Sequence, residues 1–166
     1  MDYRKLADLS PRVFGKWGEN YVKEIIGDSA KYPSEVDENF DGTYDLALVL
    51  KNGDFIRVEV KSTRAINTEL ESENIPEYEK MASKEDSFKL HFQHIKPNFA
   101  DLFIFVVVWK DMIEFYLMLR KELLKMNLER QTRDNDIERQ LFFYKYNYDE
   151  LERYMISENE LRGLNF

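Results

Sequence analysis

A carboxylate and an ammonium group lie in the same valine-rich segment, a pairing that is found both in surface ion pairs and in catalytic sites. In the stretch VEVKST, Glu59 and Lys61 lie two residues apart. Side chains alternate between the two faces of a β-strand, so both charges point to the same side. One interpretation is a half-buried strand whose charged face forms an ion-pair ladder in solvent. The other is a metal site that cleaves a phosphodiester bond, with a carboxylate on the cation and a lysine beside the reacting group.

The segment before this one forms the other half of a predicted hairpin. The runs YDLALVL and FIRVEVKS flank an Asn-Gly pair, a strong signal for a β-hairpin. A two-residue loop would place Leu46 opposite Glu59 and would mix apolar with charged side chains on each face. A three-residue loop that begins at Lys51, with a left-handed glycine in a bulge, places Leu46 opposite Val58 instead. We therefore predict the three-residue loop, because it gathers the apolar residues on one face.

The same register sets Asp45 directly opposite Glu59, with Cβ atoms about 5 Å apart. Like charges that face each other across two strands are destabilising, and a cation between them would make them tolerable. Carboxylate oxygens and water are the ligands that Mg²⁺ prefers. Such a metal could activate a water molecule, and Lys61 could stabilise the negative charge that develops on a phosphoryl group.

Several predicted elements must position these strands. Ser10 and Pro11 are a typical N-cap and first helical residue, and apolar residues recur at helical spacing up to Gly27, which predicts an amphipathic helix. A short strand is expected near 31–36. The stretch SFKLHFQHIKP predicts a strand or a short helix, DLFIFVVVW a strand buried on both faces, and MIEFYLML a further strand.

The remaining chain is predicted as a polar connection and a helical C-terminal third. Residues 64–86 are polar and acidic, which favours a mobile loop or a loosely held helix. The segments KELLKMNLERQ, IERQLFFYKYN and YDELERYM have a helical composition, and Ser157 with Glu160 predicts a capping box before a last short helix. The 166 residues predict one mixed α/β domain over 1–166, with its core at about 12–109 and an extra strand and helices over 110–166.

Composition narrows the classes of protein. The hydrophobic fraction of 43% is that of a folded globular protein, and the lack of cysteine excludes disulfides, thiolate nucleophiles and cysteine metal sites. A net charge of −8 argues mildly against nucleic-acid binding, although acids gathered around a cation would contribute to it. The N-terminal stretch has no apolar signal core, and the longest apolar run, 102–109, is too short to span a bilayer. We expect a soluble, cytoplasmic protein with no membrane partner.

Asp45 on one strand and Glu59-Val60-Lys61 on the next resemble the PD-(D/E)xK motif of the restriction-endonuclease-like nuclease superfamily. Tyr44 stands where the motif has proline. The stretch GKWGENYVKEII resembles the first-helix motif of that superfamily, in which a glycine–glutamate pair presents a further acid of the metal site, here Glu19. FQHIKPNFADLFIFVVVW resembles the segment after the catalytic strand, where a polar residue lines the site ahead of a buried strand.

This resemblance implies a restriction-endonuclease-like α/β fold, with a central mixed sheet flanked by helices. It also implies a Mg²⁺-dependent endodeoxyribonuclease, in which Mn²⁺ can substitute and Lys61 positions or deprotonates the attacking water. The implied catalytic residues are Asp45, Glu59 and Lys61, and the implied metal ligands are Glu19, Asp45, Glu59 and the Val60 carbonyl. Candidate DNA contacts near the site are Arg57, Arg64, Gln93 and Lys96.

Three functions stay open at this point. The small size and the lack of an ATPase motif fit a type II restriction enzyme that acts as a homodimer on a palindromic DNA site. A DNA repair or junction-resolving nuclease of the same fold is an alternative, although junction resolvases usually present broad basic surfaces. The third is a non-catalytic module that binds nucleic acid or a protein on this scaffold.

Other side chains that could bind ligands have plainer interpretations. His91 and His94 lack an evident third metal ligand, so a structural or solvated role is expected. Ser62 and Thr63 are expected to end the strand, because no histidine is placed to activate either hydroxyl. The aromatic residues within 142–148 are expected in the core or an interface rather than on a base-stacking platform.

Overall fold

The helix predicted from Ser10 onward forms over Pro11–Ile26 in the computed structural model, which describes residues 2–131 and 137–164. The Ser10 side chain accepts a hydrogen bond from the Val13 amide at 3.4 Å, and Gly27 ends the helix with a φ of 93°, which suits glycine. This helix, α2, follows the short helix α1 (Tyr3–Ala7). One apolar face of α2 is buried, which confirms the prediction of an amphipathic helix.

Most other elements are short. In chain order, the strands of the described residues are β1 (Ala30–Lys31), β2 (Leu46–Val49), β3 (Phe55–Arg64), β4 (Ile66–Asn67), β5 (Phe88–Ile95), β6 (Leu102–Val108), β7 (Ile113–Leu119), β8 (Glu129–Arg130), β9 (Arg139–Tyr144) and β10 (Met155–Ile156). The helices after α2 are α3 (Arg120–Leu123), α4 (Asp149–Glu152) and α5 (Glu158–Leu161), with 3-10 helices at Pro33–Glu35 and Glu77–Lys80.

The hairpin has the predicted register. Leu46 pairs with Val58 and Leu48 with Ile56 across β2 and β3. Gly53 adopts a φ of 92° in the turn, as the left-handed position of the three-residue loop requires. The apolar side chains of both strands therefore share one face, and the charged side chains of β3 share the other.

The two hairpin strands lie within a main sheet of six strands, in the order β1-β2-β3-β6-β7-β10. Strands β3 and β6 run parallel, whereas the other neighbours are antiparallel. Every residue of β6 is buried, as its continuous apolar run predicts. The predicted mixed α/β class with a central mixed sheet is therefore confirmed.

The two faces of the main sheet are covered by different layers. On one face, Val22 and Ile25 of α2 pack against apolar residues of β2, β3 and β6. On the other face, a second sheet of order β4-β5-β9-β8 encloses a core that includes Phe92, Phe105 and Phe143. A long helix thus covers one face as expected, whereas a sheet that the sequence analysis did not predict covers the other.

This second sheet corrects the prediction of a helical C-terminal third. The segment IERQLFFYKYN contains strand β9, because its side chains alternate: Leu141 and Phe143 are buried, while Phe142 and Tyr144 are half-buried. KELLKMNLERQ forms only the short helix α3 before β8, and YDELERYM only α4 before β10. The capping box at Ser157 is confirmed, with α5 behind it. The domain predicted over 1–166 includes 132–136 and 165–166, which lie outside the described residues.

The connections differ from expectation in detail. The strand expected near 31–36 is limited to β1, because Pro33 begins a 3-10 helix. SFKLHFQHIKP forms strand β5 rather than a short helix. Strand β4 and the second 3-10 helix lie within the segment 64–86. In the part of the chain that the structure describes, no helix combines the length and the apolar character needed to cross a membrane.

Candidate active site

Helix α2 approaches strand β3 closely because a glycine lies at the contact. Gly18 is buried, and a Cβ atom added to it would lie 1.9 Å from Ser62 Oγ and 3.1 Å from Ser62 Cβ. A larger residue would require the Ser62 hydroxyl to rotate away or one of the two elements to shift. The next residue along the helix, Glu19, is thereby carried to Asp45 at the start of β2.

Asp45 precedes β2 and turns its carboxylate onto the backbone of β3. Its amide donates to the Val58 carbonyl at 3.0 Å, and its Oδ2 accepts a hydrogen bond from the Val60 amide at 2.7 Å. The ladder of strand pairs ends at Leu46, so Asp45 does not face Glu59 as a regular pair. The predicted direct opposition is corrected in this detail, although the two carboxylates still interact electrostatically.

Glu59 is buried, with only 3% of its surface exposed. Its Oε2 accepts a hydrogen bond from the Lys96 amide at 3.2 Å, and its Oε1 lies 3.7 Å from Lys61 Nζ. Burial raises the pKa of Glu59 to about 7, against the lowering effect of Lys61 and with a further rise from Asp45. The burial excludes an ion-pair ladder in solvent at this position.

Glu19 lies between the helix surface and the other two acids, with 22% of its side chain exposed. Lys16 Nζ is 3.4 Å from its Oε2 on the helix surface. Burial first, and then the charge and hydrogen bonding of Asp45, raise the pKa of Glu19 to about 7, although Lys16 lowers it. Near neutral pH the Glu19 carboxyl is therefore partly protonated and can donate to Asp45.

Glu19, Asp45 and Glu59 form what we call the acid cluster. In residues 2–131 and 137–164, no three side chains of His, Cys, Asp or Glu already converge on a metal position. The reason is that Asp45 and Glu59 each direct one oxygen at a backbone amide, while Glu19 rests against Asp45. The donors are all oxygens, and the Val60 carbonyl points to the same edge of β3 as its amide. That chemistry fits Mg²⁺ or Mn²⁺, which would replace the proton between Glu19 and Asp45.

A cleft of about 640 Å³ opens beside the acid cluster. Helix α2 contributes Glu19 to its wall, and β3 contributes Val60 and Lys61. The Lys61 side chain is 22% exposed, so its ammonium group can reach a molecule in the cleft. The opposite wall is the outer face of β5, which contributes Lys89, His91, Gln93 and His94.

The two candidate arginines already have protein partners. Arg57 donates to Asp101 through Nη2 at 3.0 Å and through Nε at 3.2 Å. Arg64 donates to the carbonyls of Leu6 and Leu9 at 2.8 Å and 2.6 Å. These bonds give both side chains a structural role, and their DNA contacts stay predictions.

Of the other two candidate DNA contacts, one lines the cleft and one binds Glu59. Gln93 is exposed in the cleft, which suits a contact with a bound molecule. Lys96 binds Glu59 through its backbone amide, and its charge lowers the pKa of that carboxyl. Gln93 thus lies in the cleft and Lys96 beside Glu59, and their contacts with DNA also stay predictions.

The histidines of β5 contact polar side chains from the C-terminal part of the chain. His91 Nε2 lies 2.8 Å from Gln140 Oε1, and His94 Nδ1 lies 3.0 Å from Glu138 Oε2. These contacts agree with the structural or solvated role expected for both histidines. Sequence analysis missed the two partners because it predicted a helix there. The run RQLFFY has no period-two pattern of polar and apolar residues, so no local signal could have found them.

Comparisons with known proteins add little to this geometry. The sequence matches no protein-family model and no curated protein. A bacterial homing endonuclease of known structure is similar at 16% identity, over 80% of this chain and 75% of that chain, with a TM-score of 0.38. A likeness of that extent assigns neither a family nor a function to this chain.

Proposed function

We propose that this protein is a Mg²⁺-dependent endodeoxyribonuclease of the PD-(D/E)xK type, with a restriction-type role. The observation that carries the proposal is the acid cluster beside Lys61, at the edge of a cleft. Burial raises the pKa values of Glu59 and Glu19 in spite of the nearby lysines Lys61 and Lys16, so the acid cluster is costly to keep charged without a cation. Perturbed pKa values in a cleft are typical of functional sites.

The acid cluster and the Val60 carbonyl would hold the metal ion. When bound, Mg²⁺ supplies charge that stabilises the attacking and leaving oxygens of the phosphodiester. The amides of Val60 and Lys96 keep Asp45 and Glu59 in place, because each binds one carboxylate oxygen. The remaining oxygen of each carboxylate is then available to the cation.

Lys61 acts on the reacting groups from the cleft side. Its ammonium is 3.7 Å from Glu59 Oε1, so the buried carboxylate holds it near the metal position. From there it can orient the attacking water, take its proton when neutral, or stabilise the developing negative charge. Mn²⁺ is expected to substitute for Mg²⁺, because both take oxygen ligands.

DNA is the proposed substrate, and a homodimer on a two-fold symmetric site is the proposed working form. The acidic net charge is unevenly distributed: residues 69–86 hold seven acids and two lysines, outside the acid cluster. The overall charge of −8 is thus compatible with a local site for a phosphodiester. The lack of cysteine suits a reducing cytoplasm, where we propose that the enzyme acts.

Cleavage of plasmid and mixed genomic DNA with Mg²⁺ or Mn²⁺ tests the proposal. Wild type is compared with Lys61→Ala and Glu59→Ala, and we expect each variant to lose activity by about a hundredfold or more. Lys121→Ala and Glu150→Ala are matched controls, since both residues are exposed and lie outside the cleft. Circular dichroism establishes that every variant is folded.

The pattern of products separates the candidate functions. Discrete bands that both site variants abolish support a sequence-specific enzyme. Nicks or a smear abolished by the same variants support the site but indicate a repair or junction-resolving role, which branched substrates would then test. A folded wild-type protein that cuts no substrate contradicts the nuclease proposal and favours a non-catalytic binding module.

A further inference from the structure

Strand β5 contains a bulge at Gln93 and His94. The ladder with β9 is regular up to the pair Phe92–Leu141 and resumes at the pair Ile95–Arg139, so two residues of β5 face one residue of β9. Within the described residues, His94 is the one non-glycine residue with a positive φ, at 57°. That left-handed conformation costs free energy, and such positions cluster at functional sites.

The bulge turns two consecutive side chains outward. Along the regular part of β5, alternate residues are buried, and Ile95 is buried again after the bulge. Gln93 and His94 between them are both exposed and line the cleft that also contains Glu19 and Lys61. Bulges beside active sites commonly redirect a side chain in this way.

A polar network holds both side chains in position. Gln131 accepts a hydrogen bond from the His94 amide at 3.1 Å and donates to Gln93 Oε1 at 3.4 Å. His94 Nδ1 lies 3.0 Å from Glu138 Oε2, and Gln93 Nε2 lies 3.3 Å from His91 Nδ1. Residues from three strands or their flanks therefore hold the Gln93 and His94 side chains toward the cleft.

The Gln93 amide keeps hydrogen-bonding capacity for a ligand. An amide has two acceptor lone pairs and two N–H donors, and the network uses one of each. A spare acceptor beside a spare donor matches the edge of adenine, which offers an N6 donor and an N7 acceptor in the major groove of duplex DNA. The His94 side chain next to it is 60% exposed and can meet a neighbouring base pair.

The aromatic side chains on this face form a row of near-parallel rings. His91 stacks on Phe142 with centroids 4.1 Å apart, and Tyr144 lies between Phe142 and Tyr146 with near-parallel rings at 6.5 Å and 5.5 Å. Binding of single-stranded bases relies on open aromatic faces for stacking. The rings of Phe142, Tyr144 and Tyr146 do not line the cleft, whereas Gln93 and His94 do, so the cleft favours contacts with base edges of a duplex.

We propose that the bulge of β5 reads base edges in duplex DNA, with Gln93 contacting adenine and His94 contacting the adjacent pair. The choice of DNA as ligand rests on the proposed function of the acid cluster, since both walls belong to one cleft. The bulge supplies the sequence preference, and the acid cluster supplies the cleavage.

Selection from a randomised duplex library tests this inference through binding alone. The parent is the full chain with Lys61→Ala, in Mg²⁺, so that bound DNA is not consumed. Gln93→Ala and His94→Gly are added separately; glycine keeps the left-handed backbone, so the bulge can still form. We expect the parent to enrich a short motif, and Gln93→Ala to reduce the preference for an A·T pair at one position by about tenfold. His94→Gly is expected to reduce the preference at the neighbouring position.

The matched control is Asn159→Ala, which removes an exposed amide of α5 outside the cleft and should leave the enriched motif unchanged. Unchanged motifs in both bulge variants, or a parent that retains duplexes without sequence preference or not at all, would overturn the inference. The wild-type cleavage assay is scored separately. A wild type that cuts DNA while the bulge variants keep the motif leaves the nuclease proposal intact, whereas a selective parent beside an inactive wild type supports the bulge and contradicts the nuclease.

Discussion

Strand β3 carries charged residues at two places, Arg57 and Glu59, that differ in how well nearby charges of opposite sign compensate them. Arg57 binds Asp101 through two hydrogen bonds, and Arg120 Nη2 lies 3.3 Å from the same carboxylate. Burial acts to raise the pKa of Asp101, but the hydrogen bonds and charges of the two arginines outweigh it and lower that pKa. The Asp101 carboxylate is thus fully compensated by cations, and the group fastens β3 to the start of β6.

Two residues further along, Glu59 is more deeply buried and less well balanced. Lys61 lies 3.7 Å from it and the charge of Lys96 also acts on it, but Asp45 adds a second negative charge. Burial raises the pKa of Glu59 to about 7 in spite of that lysine. Natural sequences accept such a local cost mainly where function requires it. The difference between the two places therefore separates a structural ion pair from the site that we propose holds a cation.

The largest expected effect comes from forcing α2 away from β3 at Gly18. Gly18→Ala would bring a methyl group within 1.9 Å of Ser62 Oγ, and overpacking of this kind destabilises by about 3 kcal/mol. Urea denaturation measures the change. The shift of the helix should also withdraw Glu19 from Asp45. The contribution of the acid cluster to the pH dependence of the free energy of unfolding then becomes smaller, whereas the Arg57–Asp101 pair is unaffected.

A second substitution provides the control for that clash. Ser62→Gly removes both atoms that the new methyl group would meet, so the double variant should recover part of the lost stability. An unchanged free energy of unfolding in Gly18→Ala, or no recovery in the double variant, would contradict the claim that the close contact between Gly18 and Ser62 positions Glu19.

Neutralising Glu59 and neutralising Asp101 should change the free energy of unfolding by smaller amounts, and in opposite directions. Glu59→Gln removes a buried negative charge but keeps an acceptor for the Lys96 amide, so we expect it to stabilise the metal-free protein by about 2 kcal/mol at pH 8. Asp101→Asn removes the charge that balances two arginines and should destabilise by about 1 kcal/mol, since its side chain is 42% exposed. Thermal or urea unfolding of the two variants beside wild type measures both changes.

The contributions of Glu59 and Asp101 to the free energy of unfolding should change with pH in opposite directions. The pKa of Glu59 rises on folding from 4.5 to about 7, so the folded state holds the proton more tightly. Its contribution to the free energy of unfolding therefore falls as the pH rises from about 4.5 to about 7, and the advantage of Glu59→Gln should vanish at pH 4. Asp101 has a lowered pKa, so its contribution is present above its ordinary pKa and is lost as the pH falls. If both variants shifted the free energy of unfolding in the same direction at pH 8, the proposed difference in charge compensation between Glu59 and Asp101 would be contradicted.

Much of the main sheet could be predicted because local patterns agree with the tertiary fold. The hairpin register follows from one requirement, that the apolar residues of β2 and β3 share a face, and Leu46 does pair with Val58. The register brought Asp45 near Glu59, but the end of the ladder at Leu46 was not predictable, because it depends on the Asp45 carboxylate binding the Val60 amide. Side-chain contacts with a backbone leave no periodic signal in a sequence.

The second sheet was missed for a different physical reason. Strand β9 contains the apolar run LFFY, in which Phe142 and Tyr144 look as hydrophobic as the buried Leu141 and Phe143. Pattern alone cannot show which aromatic side chains face outward, because that depends on the pairing of β9 with β5, which lies far away in sequence. The bulge at His94 could not be predicted for the same reason, since a bulge is defined only by the pairing with a partner strand.

The smallest expected effect is a rise in thermal stability when the acid cluster meets a divalent cation. A cation that binds only the folded protein stabilises it by RT ln(1 + [L]/Kd), which is about 1 kcal/mol when the free metal is about five times Kd. Thermal melts at pH 8 with rising Mg²⁺ or Mn²⁺ should therefore show an increasing Tm for wild type and for Asp101→Asn. Glu59→Gln should start from a higher Tm in the absence of metal and gain less from it, because one anionic ligand is gone. A shift of equal size in Glu59→Gln would mean that the cation binds elsewhere, and no shift in wild type at millimolar metal would mean that the buried acids are balanced by protons alone.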